Sequence, residues 1–292
     1  MGAIRAVMST DTSARLKRGE TSMKLKHSAA VTEVAHGEMT EGNAAKTAPS
    51  RHRHELAIYY GPGALSVLAR YKRVVVQPGH FRADKVQWLQ GRGVQVLAYL
   101  SLGEVEATDP VWASGAYRPE WNTKLVDLTS PVWRAQVQDQ VMREKGIFDG
   151  FFLDTLESAT DDPRQMRAML KLVRLVRQWA GPKYLMANRG FELLKRLRGT
   201  INGVLIEAFS TTWADGYRPY TRQELTYTGE LLKQAKRLKM DVYALDYANS
   251  PRQRRFAMRR ALALGVPTFV TNRELSLPKG YLPATQIAPD QE

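Results

Sequence analysis

The chain has 292 residues, of which 43% are hydrophobic and 25% charged, so it can bury the core of one large domain and does not have the composition of a disordered protein. It contains no cysteine, which excludes disulfides, thiolate metal sites and cysteine nucleophiles. No apolar run approaches the ~20 residues that span a bilayer, and the formal net charge of +14 raises nucleic acid or another polyanion as a partner.

Residues 1–53 are poor in apolar clusters and rich in Ser, Thr, Ala, Lys and Arg, which predicts a flexible basic tail. We expect no classical signal peptide, because the early basic residues are followed by neither an apolar segment nor a clear cleavage site. Met23 is an alternative start. Four of the five histidines lie at this end of the chain, and we interpret His52 and His54 as part of a basic linker, not as a metal site.

From Leu56 onward, short apolar strands alternate with helical segments, as in repeated βα units. Helix start signals support this division: Ser130, Asp162 and Ser250 each precede a proline, and Thr221 with Glu224 forms a capping-box pattern. The pattern predicts a single (β/α)8 TIM barrel over residues 54–292. A doubly wound open sheet is the alternative, but its glycine-rich first turn is missing. The eight predicted strands are residues 56–60, 73–77, 94–100, 148–154, 183–188, 201–209, 241–247 and 267–271.

Every predicted strand has a polar residue at or near its carboxyl end. Strands of a parallel barrel are covered on both faces, so a polar residue that closes an apolar run lies where the chain leaves the core, which is where such barrels carry their active sites. One polar strand end can simply mark the start of a loop, whereas eight together favour a binding site. The predicted substrate-binding residues are Tyr59, Tyr60, Gln77, Glu104, Glu157, Asn188, Trp213, Asp246 and Tyr247.

Asp154 and Glu207 are the predicted catalytic residues. Asp154 closes the run FDGFFLD and is the candidate nucleophile. Glu207 follows VLI and precedes Phe209, apolar surroundings that raise the pKa of a carboxyl group, so it is the candidate general acid and base. The structural alternatives are that Asp154 caps the following turn and that Glu207 forms a buried salt bridge with Arg189. Glu157 and Asp246 are second candidates, which would either lie near the pair and tune it or bind a sugar hydroxyl or amine.

Aromatic residues gather in two of the predicted loops. Flat rings stack on the apolar faces of sugars, but they also pack long loops onto a barrel, and the sequence leaves both interpretations open. The rings are Trp112, Tyr117 and Trp121 after the third strand, and Trp213, Tyr217 and Tyr220 after the sixth.

The charge is unevenly distributed. Residues 163–199 carry ten Lys or Arg against one acid, Glu192, and residues 252–260 carry five Arg and no acid. By contrast, residues 154–162 carry four acids and no base. We therefore expect a basic belt of outer helices and an acidic mouth, suited to a neutral or partly cationic ligand such as a glycan with free amines.

Five motifs resemble one group of enzymes. They are YLSLGEVE (99–106), FDGFFLDTLES (148–158), ANRGFELL (187–194), LIEAF (205–209) and ALDYA (244–248). In order and spacing they resemble the galactosaminidase-type barrels of glycoside hydrolase families 166 and 114, which include the Pel polysaccharide hydrolase domain and the endo-α-1,4-polygalactosaminidases. The resemblance covers roughly residues 55–280 and leaves the tail uncovered.

This resemblance implies a TIM barrel that hydrolyses α-1,4 links in galactosamine or N-acetylgalactosamine polymers with retention, using an Asp and a Glu that match Asp154 and Glu207. It implies a polysaccharide partner and an extracytoplasmic site of action, so the lack of a recognisable export signal is a departure. Gln77 is another, since an acid is expected at the end of the second strand.

Two other classes of function compete with a glycoside hydrolase. A glycan-binding barrel without turnover would need neither carboxylate, so the presence of both favours the enzyme. A nucleic-acid protein driven by the basic belt and tail would show strongly salt-dependent DNA binding, and we regard nucleic acid as the weakest interpretation. We expect no metal, no organic cofactor and no membrane span.

Overall fold

The computed structural model describes residues 54–109 and 115–280. The predicted tail, residues 1–53, lies outside the described residues, and so does Trp112 of the aromatic loop. None of the helices in the described ranges combines the length and apolar character that a membrane-spanning helix requires.

Eight parallel strands form one sheet in chain order. Each strand begins and ends within two residues of its predicted bounds or coincides with them, so the eight-strand prediction is confirmed. The alternative open sheet with a changed strand order is wrong, because every neighbour in the sheet is the next strand in sequence. The strands are β1 (His54–Tyr59), β2 (Tyr71–Val76), β3 (Gln95–Ser101), β4 (Gly150–Asp154), β5 (Tyr184–Asn188), β6 (Gly203–Glu207), β7 (Asp241–Tyr247) and β8 (Thr268–Thr271).

The first and last strands meet, so the sheet curls into a nearly closed barrel. The backbone N–H of Tyr60, just after β1, donates to the carbonyl of Leu275 at 2.9 Å. The ring of Tyr71 packs edge-on against Phe269 of β8, with 5.9 Å between the ring centroids. The middle residues of the strands are buried, as expected for a sheet covered on both faces.

Seven α-helices accompany the strands within the described residues, and the predicted start signals are confirmed. Ser130 and Ser250 accept a hydrogen bond from the third helical N–H of their helices, and Thr221 and Glu224 form the complete capping box. Asp162 accepts from Arg164. The helices are α1 (Leu65–Leu68), α2 (Ala83–Gln90), α3 (Pro131–Glu144), α4 (Pro163–Ala180), α5 (Phe191–Leu194), α6 (Arg222–Arg237) and α7 (Pro251–Ala263).

Two small antiparallel sheets at the mouth were not predicted from the sequence. Glu104–Glu106, Tyr117–Arg118 and Thr123–Leu125 form a three-stranded sheet in the connection after β3. Thr211–Thr212 pairs with Arg218–Pro219 after β6. These strands are two or three residues long, too short for an alternating pattern to show.

The other end of the barrel interior holds a mostly buried cation, Arg73. Arg73 of β2 donates through Nε to Gln95 Oε1 at 2.6 Å and through Nη1 to the hydroxyl of Tyr243. Its guanidinium stacks on the ring of Tyr184, 3.7 Å from the centroid, and lies 4.0 Å from Asp241. This cluster fills the amino end of the barrel.

Candidate active site

The strand register decides which polar strand ends face the barrel axis. Successive side chains of a strand point to opposite faces, and residues paired across neighbouring strands share a face. Ser101 pairs with Asp154, and Leu245 pairs with Glu207. Following these pairings around the sheet, the inward side chains at the mouth are Tyr60, Gln77, Ser101, Asp154, Asn188, Glu207, Tyr247 and Thr271.

Asp154 is held by two side chains from neighbouring strands. The hydroxyl of Tyr99 donates to Asp154 Oδ2 at 2.8 Å, and Asn188 Nδ2 donates to Asp154 Oδ1, also at 2.8 Å. The carboxylate does not cap the turn that follows it, so the alternative of a capping residue is not supported. Two donors fix the direction in which Asp154 points.

Glu207 has a parallel set of partners. Tyr247 donates to Glu207 Oε1 and Asn188 to Glu207 Oε2, each at 2.6 Å. Burial raises the pKa of Glu207 and the charge of Asp154 raises it further, against the two hydrogen bonds and the charge of Arg189. The net direction is upward, which favours the protonated form that a general acid needs.

One amide joins the two carboxylates. Asn188 Nδ2 lies 2.8 Å from Asp154 Oδ1 and 2.6 Å from Glu207 Oε2. These two acceptor oxygens are therefore no more than 5.4 Å apart, the sum of the two contacts. The other atom of that amide, Asn188 Oδ1, is buried and has no hydrogen-bond partner in the described part of the chain.

Tyr60 lies beside the pair. Its ring packs edge-on against Tyr99, with the centroids 5.2 Å apart. Burial and then the charges of Asp154 and Glu207 raise its pKa well above the usual value, so its hydroxyl stays protonated. The hydroxyl makes no hydrogen bond within residues 54–109 and 115–280, which leaves it available to a ligand.

Three consecutive strands end in the same way. The residues after Asp154, Asn188 and Glu207 are Thr155, Arg189 and Ala208, and each has a left-handed backbone, with φ of 63°, 53° and 52°. For the β-branched Thr155 this conformation is strained, and such strain often marks a functional site. The Thr155 hydroxyl accepts from the N–H groups of Leu102 and Gly103, which fixes the β3 loop against β4.

The remaining predicted residues lie at varying distances from the pair. Glu104 is half-buried in the β3 loop, where its Oε2 accepts from Thr123 at 2.6 Å, and burial raises its pKa. Gln77 is half-buried and faces inward at the end of β2. Trp213 packs edge-on against Trp121 across 5.0 Å, and Arg273 stacks over it at 4.1 Å.

Two predicted substrate-binding residues are corrected by the structure. Asp246 faces away from the barrel axis and is fully buried, and its Oδ1 accepts from the N–H groups of Ser210 and Thr211. Tyr59 also faces outward, and its hydroxyl donates to the carbonyl of Pro62. Each stands one position before an inward-facing residue, Tyr247 or Tyr60, so its side chain points to the outer face of the barrel. Asp246 and Tyr59 therefore shape the loops of the mouth and do not line the barrel interior.

Arg189 and Glu157 form an ion pair, not the salt bridge between Arg189 and Glu207 that was the sequence-based alternative. Arg189 Nε donates to Glu157 Oε2 at 2.9 Å, and Arg189 Nη1 donates to the backbone carbonyl of Glu207 at 3.2 Å. The carboxyl group of Glu207 therefore forms no salt bridge with Arg189.

Sequence reasoning missed Tyr99 and the place of Arg189. Tyr99 stands two positions before Ser101 in an otherwise apolar strand, so the period-2 pattern could have marked it as inward-facing. Its partner on another strand could not have been found without the register. The described residues contain no group of three or more His, Asp or Glu side chains placed to hold a metal ion.

Comparisons with known proteins found a matching family model and similar solved structures. Residues 38–286 match the model of glycoside-hydrolase family GH114. The comparison with curated proteins found no match. Among solved structures, the chain is similar to the glycoside hydrolase domain of PelA from Pseudomonas aeruginosa, with 26% identity and a TM-score of 0.70 over 76% of this chain and 96% of that one.

More distant structures share the fold alone. Ega3 of Aspergillus fumigatus, solved in complex with galactosamine, is 15% identical, with a TM-score of 0.60 over 80% of this chain and 96% of that one. The α-galactosidase TtGalA of Thermus thermophilus is also 15% identical, with a TM-score of 0.53 over 81% and 60% of the two chains.

Proposed function

The chain belongs to glycoside-hydrolase family GH114, and we propose from that membership and from the site that it cleaves α-1,4 links in galactosamine- or N-acetylgalactosamine-containing polysaccharide with retention of configuration. That it is a glycoside hydrolase follows from the family. The linkage, the mechanism and the roles of single residues are the proposal.

The proposed retaining mechanism rests on the distance between the two carboxyl groups, which the amide of Asn188 bridges. Retaining glycosidases hold their two carboxyl groups at about 5–5.5 Å, whereas inverting enzymes leave about 6.5–9.5 Å for a water molecule. Here two carboxylate oxygens are at most 5.4 Å apart. The spacing favours direct attack by one carboxylate over attack by a water held between the two.

The roles follow from the surroundings of each carboxyl group. Glu207 is half-buried with a raised pKa and gives its proton to the glycosidic oxygen as the bond to the anomeric carbon breaks. Asp154, held by Tyr99 and Asn188, attacks that carbon and forms a glycosyl ester. Glu207 then takes a proton from water, the water oxygen bonds to the anomeric carbon, and the ester bond to Asp154 breaks.

The substrate assignment rests on the motifs and on charge. Asp154, Glu207 and Glu104 lie at the mouth of the barrel, and the charge of Asp154 contributes to the raised pKa of Glu104. The motifs that resemble the galactosaminidase-type barrels include all three residues. Carboxylates near the cleft attract protonated amines, so we propose polymers with at least some free galactosamine as substrates.

A non-catalytic glycan-binding barrel is the second candidate. It would explain the cleft but not the hydrogen bonds that Asn188 gives to both carboxylates at 2.8 and 2.6 Å. A binder gains nothing from holding two like charges so close together, since each raises the cost of ionising the other.

Mass spectrometry of defined α-1,4-linked galactosamine and N-acetylgalactosamine oligomers tests the proposal. We expect shorter products with wild-type protein and none with Asp154→Asn or Glu207→Gln, while Glu230→Gln on the outside of α6 serves as a matched surface control. NMR of the first-formed product should show the α-anomer. Intact oligomers with folded protein would favour the binding barrel, and a β-anomer would overturn the retaining mechanism.

A further inference from the structure

Behind Glu207 lies a second pair of charges that the reaction steps above do not use. Arg189 follows Asn188 directly, and its side chain is only 18% exposed. Its Nε binds Glu157 Oε2 at 2.9 Å, and Glu157 Oε1 accepts from the N–H of Gly190 at 3.3 Å. The pair therefore connects the loop after β4 with the loop after β5.

The pair also reaches β6. Arg189 Nη1 donates to the backbone carbonyl of Glu207 itself, at 3.2 Å. The guanidinium is thus fixed close to the candidate general acid while its charge is balanced by a carboxylate on the far side. Burial alone would lower the pKa of Arg189, but the charge and hydrogen bond of Glu157 raise it above the usual value, so it remains cationic.

We propose that Glu157 and Arg189 are a positioning pair in which Glu157 offsets the positive charge of Arg189, so that Arg189 holds the backbone of β6 at Glu207 without favouring the ionised form of that acid. Neither touches the substrate in this role. An unbalanced Arg189 would favour ionised Glu207, whereas an unbalanced Glu157 would oppose its ionisation. The inference rests on the proposed role of Glu207 as the acid.

The other groups around Glu207 make different contributions. Asp154 opposes its ionisation, and the hydrogen bonds from Tyr247 and Asn188 favour it. Tyr60 is neutral and packs nearby. Around Arg189 lie Tyr220 and Tyr227, both interacting with its charge. Among the described residues, Arg189 is a fixed positive charge that favours the ionised form of Glu207.

Two substitutions should move the titration of Glu207 in opposite directions. Glu157→Gln leaves Arg189 unbalanced and should lower the pKa of Glu207 by about half a pH unit, a modest shift because Glu157 is partly exposed. Arg189→Met leaves Glu157 unbalanced and should raise it by about one unit. The double variant should return close to wild type.

Carboxyl carbon NMR of the full chain measures this titration without substrate, with the Glu207 signal assigned by its loss in Glu207→Gln. Arg189→Lys, which keeps the charge, should stay near wild type. Glu55→Gln is the matched control, because it removes a carboxylate from an ion pair with Lys72 at the opposite end of the barrel.

The outcomes separate this inference from the proposed function. Opposite shifts that cancel in the double variant support the pair. Shifts in one direction, or none in folded variants, overturn it. The pH profile of kcat/KM tests the other part: if wild-type activity survives in Glu207→Gln with the same alkaline limb, the assignment of Glu207 as the acid is wrong, whatever the titration shows.

Discussion

Both ends of the barrel interior hold charged groups, but the two ends differ in how far those charges are balanced by neighbouring groups. At the amino end, Arg73 is surrounded by partners: Gln95 and Tyr243 accept its hydrogen bonds, Tyr184 stacks on it, and Asp241 lies 4.0 Å away. At the mouth, the shared amide brings two carboxylates within 5.4 Å of each other.

The mouth also leaves polar atoms without protein partners in the described chain. Asn188 Oδ1 is buried and unpaired, and the hydroxyl of Tyr60 is free beside the two carboxylates. Unpaired buried polar groups and like charges cost stability, so they persist where a ligand completes them. The amino end is built for stability and the mouth for binding and chemistry, as is general for such barrels.

The largest expected effect breaks the chemistry at the mouth. Asp154→Asn should reduce kcat by about 10³-fold or more, because an amide does not form the glycosyl ester. Its free energy of unfolding should change by less than about 1 kcal/mol, because the removal of a half-buried charge offsets a lost hydrogen bond. Product formation and urea denaturation measure the two quantities. A large loss of stability would contradict the comparison.

The second-largest expected effect is at the amino end, where we expect a loss of stability without a loss of activity. Arg73→Met should lower the free energy of unfolding by about 3 kcal/mol, because it removes a mostly buried cation, leaves Gln95 Oε1 without its donor and takes away the positive charge 4.0 Å from Asp241. At temperatures where the variant is folded, kcat should stay within about twofold of wild type, since the cluster lies far from the carboxylates.

Arg92→Met is the matched control for that measurement. Arg92 also stacks on an aromatic ring, Trp88, at 3.5 Å, but it is exposed on the outside of the barrel. We expect it to cost less than about 1 kcal/mol. Equal losses of stability in the two variants would show that the barrel interior adds nothing to the strength of the Arg73 cluster.

The sequence predicted the elements of both ends better than their contacts. The eight strands were found because parallel barrel strands are continuous apolar runs, and Asp154 and Glu207 stood out because each closes such a run. Asp246 closes a run in the same manner, yet it faces outward, because Tyr247 and not Asp246 is in step with Glu207. One residue of register decides this, and the sequence alone does not give the register.

The missed contacts are all between distant positions of the chain. Arg73 meets Tyr243, 170 positions later, and Tyr99 meets Asp154, 55 positions later. A single Arg or Tyr in an apolar strand gives no sign of which residue will face it. Loop strands of two or three residues were missed because no periodic pattern is visible over that length.

A third prediction sharpens the role of the partners at the mouth. Tyr99→Phe removes the hydrogen bond to Asp154 Oδ2 and keeps the ring that packs against Tyr60. We expect kcat to fall about tenfold, since the loss of one hydrogen bond to a charged group costs about 1.5 kcal/mol. Tyr243→Phe, which removes a hydroxyl from the amino end, is the matched control and should leave kcat unchanged.

The smallest effect concerns pH. Glu207 must be protonated to act as the acid, so kcat/KM should fall as pH rises through its raised pKa. The hydrogen bond from Tyr247 favours the charged form of Glu207, so Tyr247→Phe should raise that pKa further. The alkaline limb of the profile should then move to higher pH by about half a unit, since the hydrogen bond from Asn188 to the carboxyl group remains. Because the neutral acid needs no such donor, activity below the limb should fall by less than it does in Tyr99→Phe.

A limb that moves to lower pH would show that Tyr247 holds Glu207 in its protonated form. The mouth would then resemble the amino end, with every charge neutralised in the absence of a ligand.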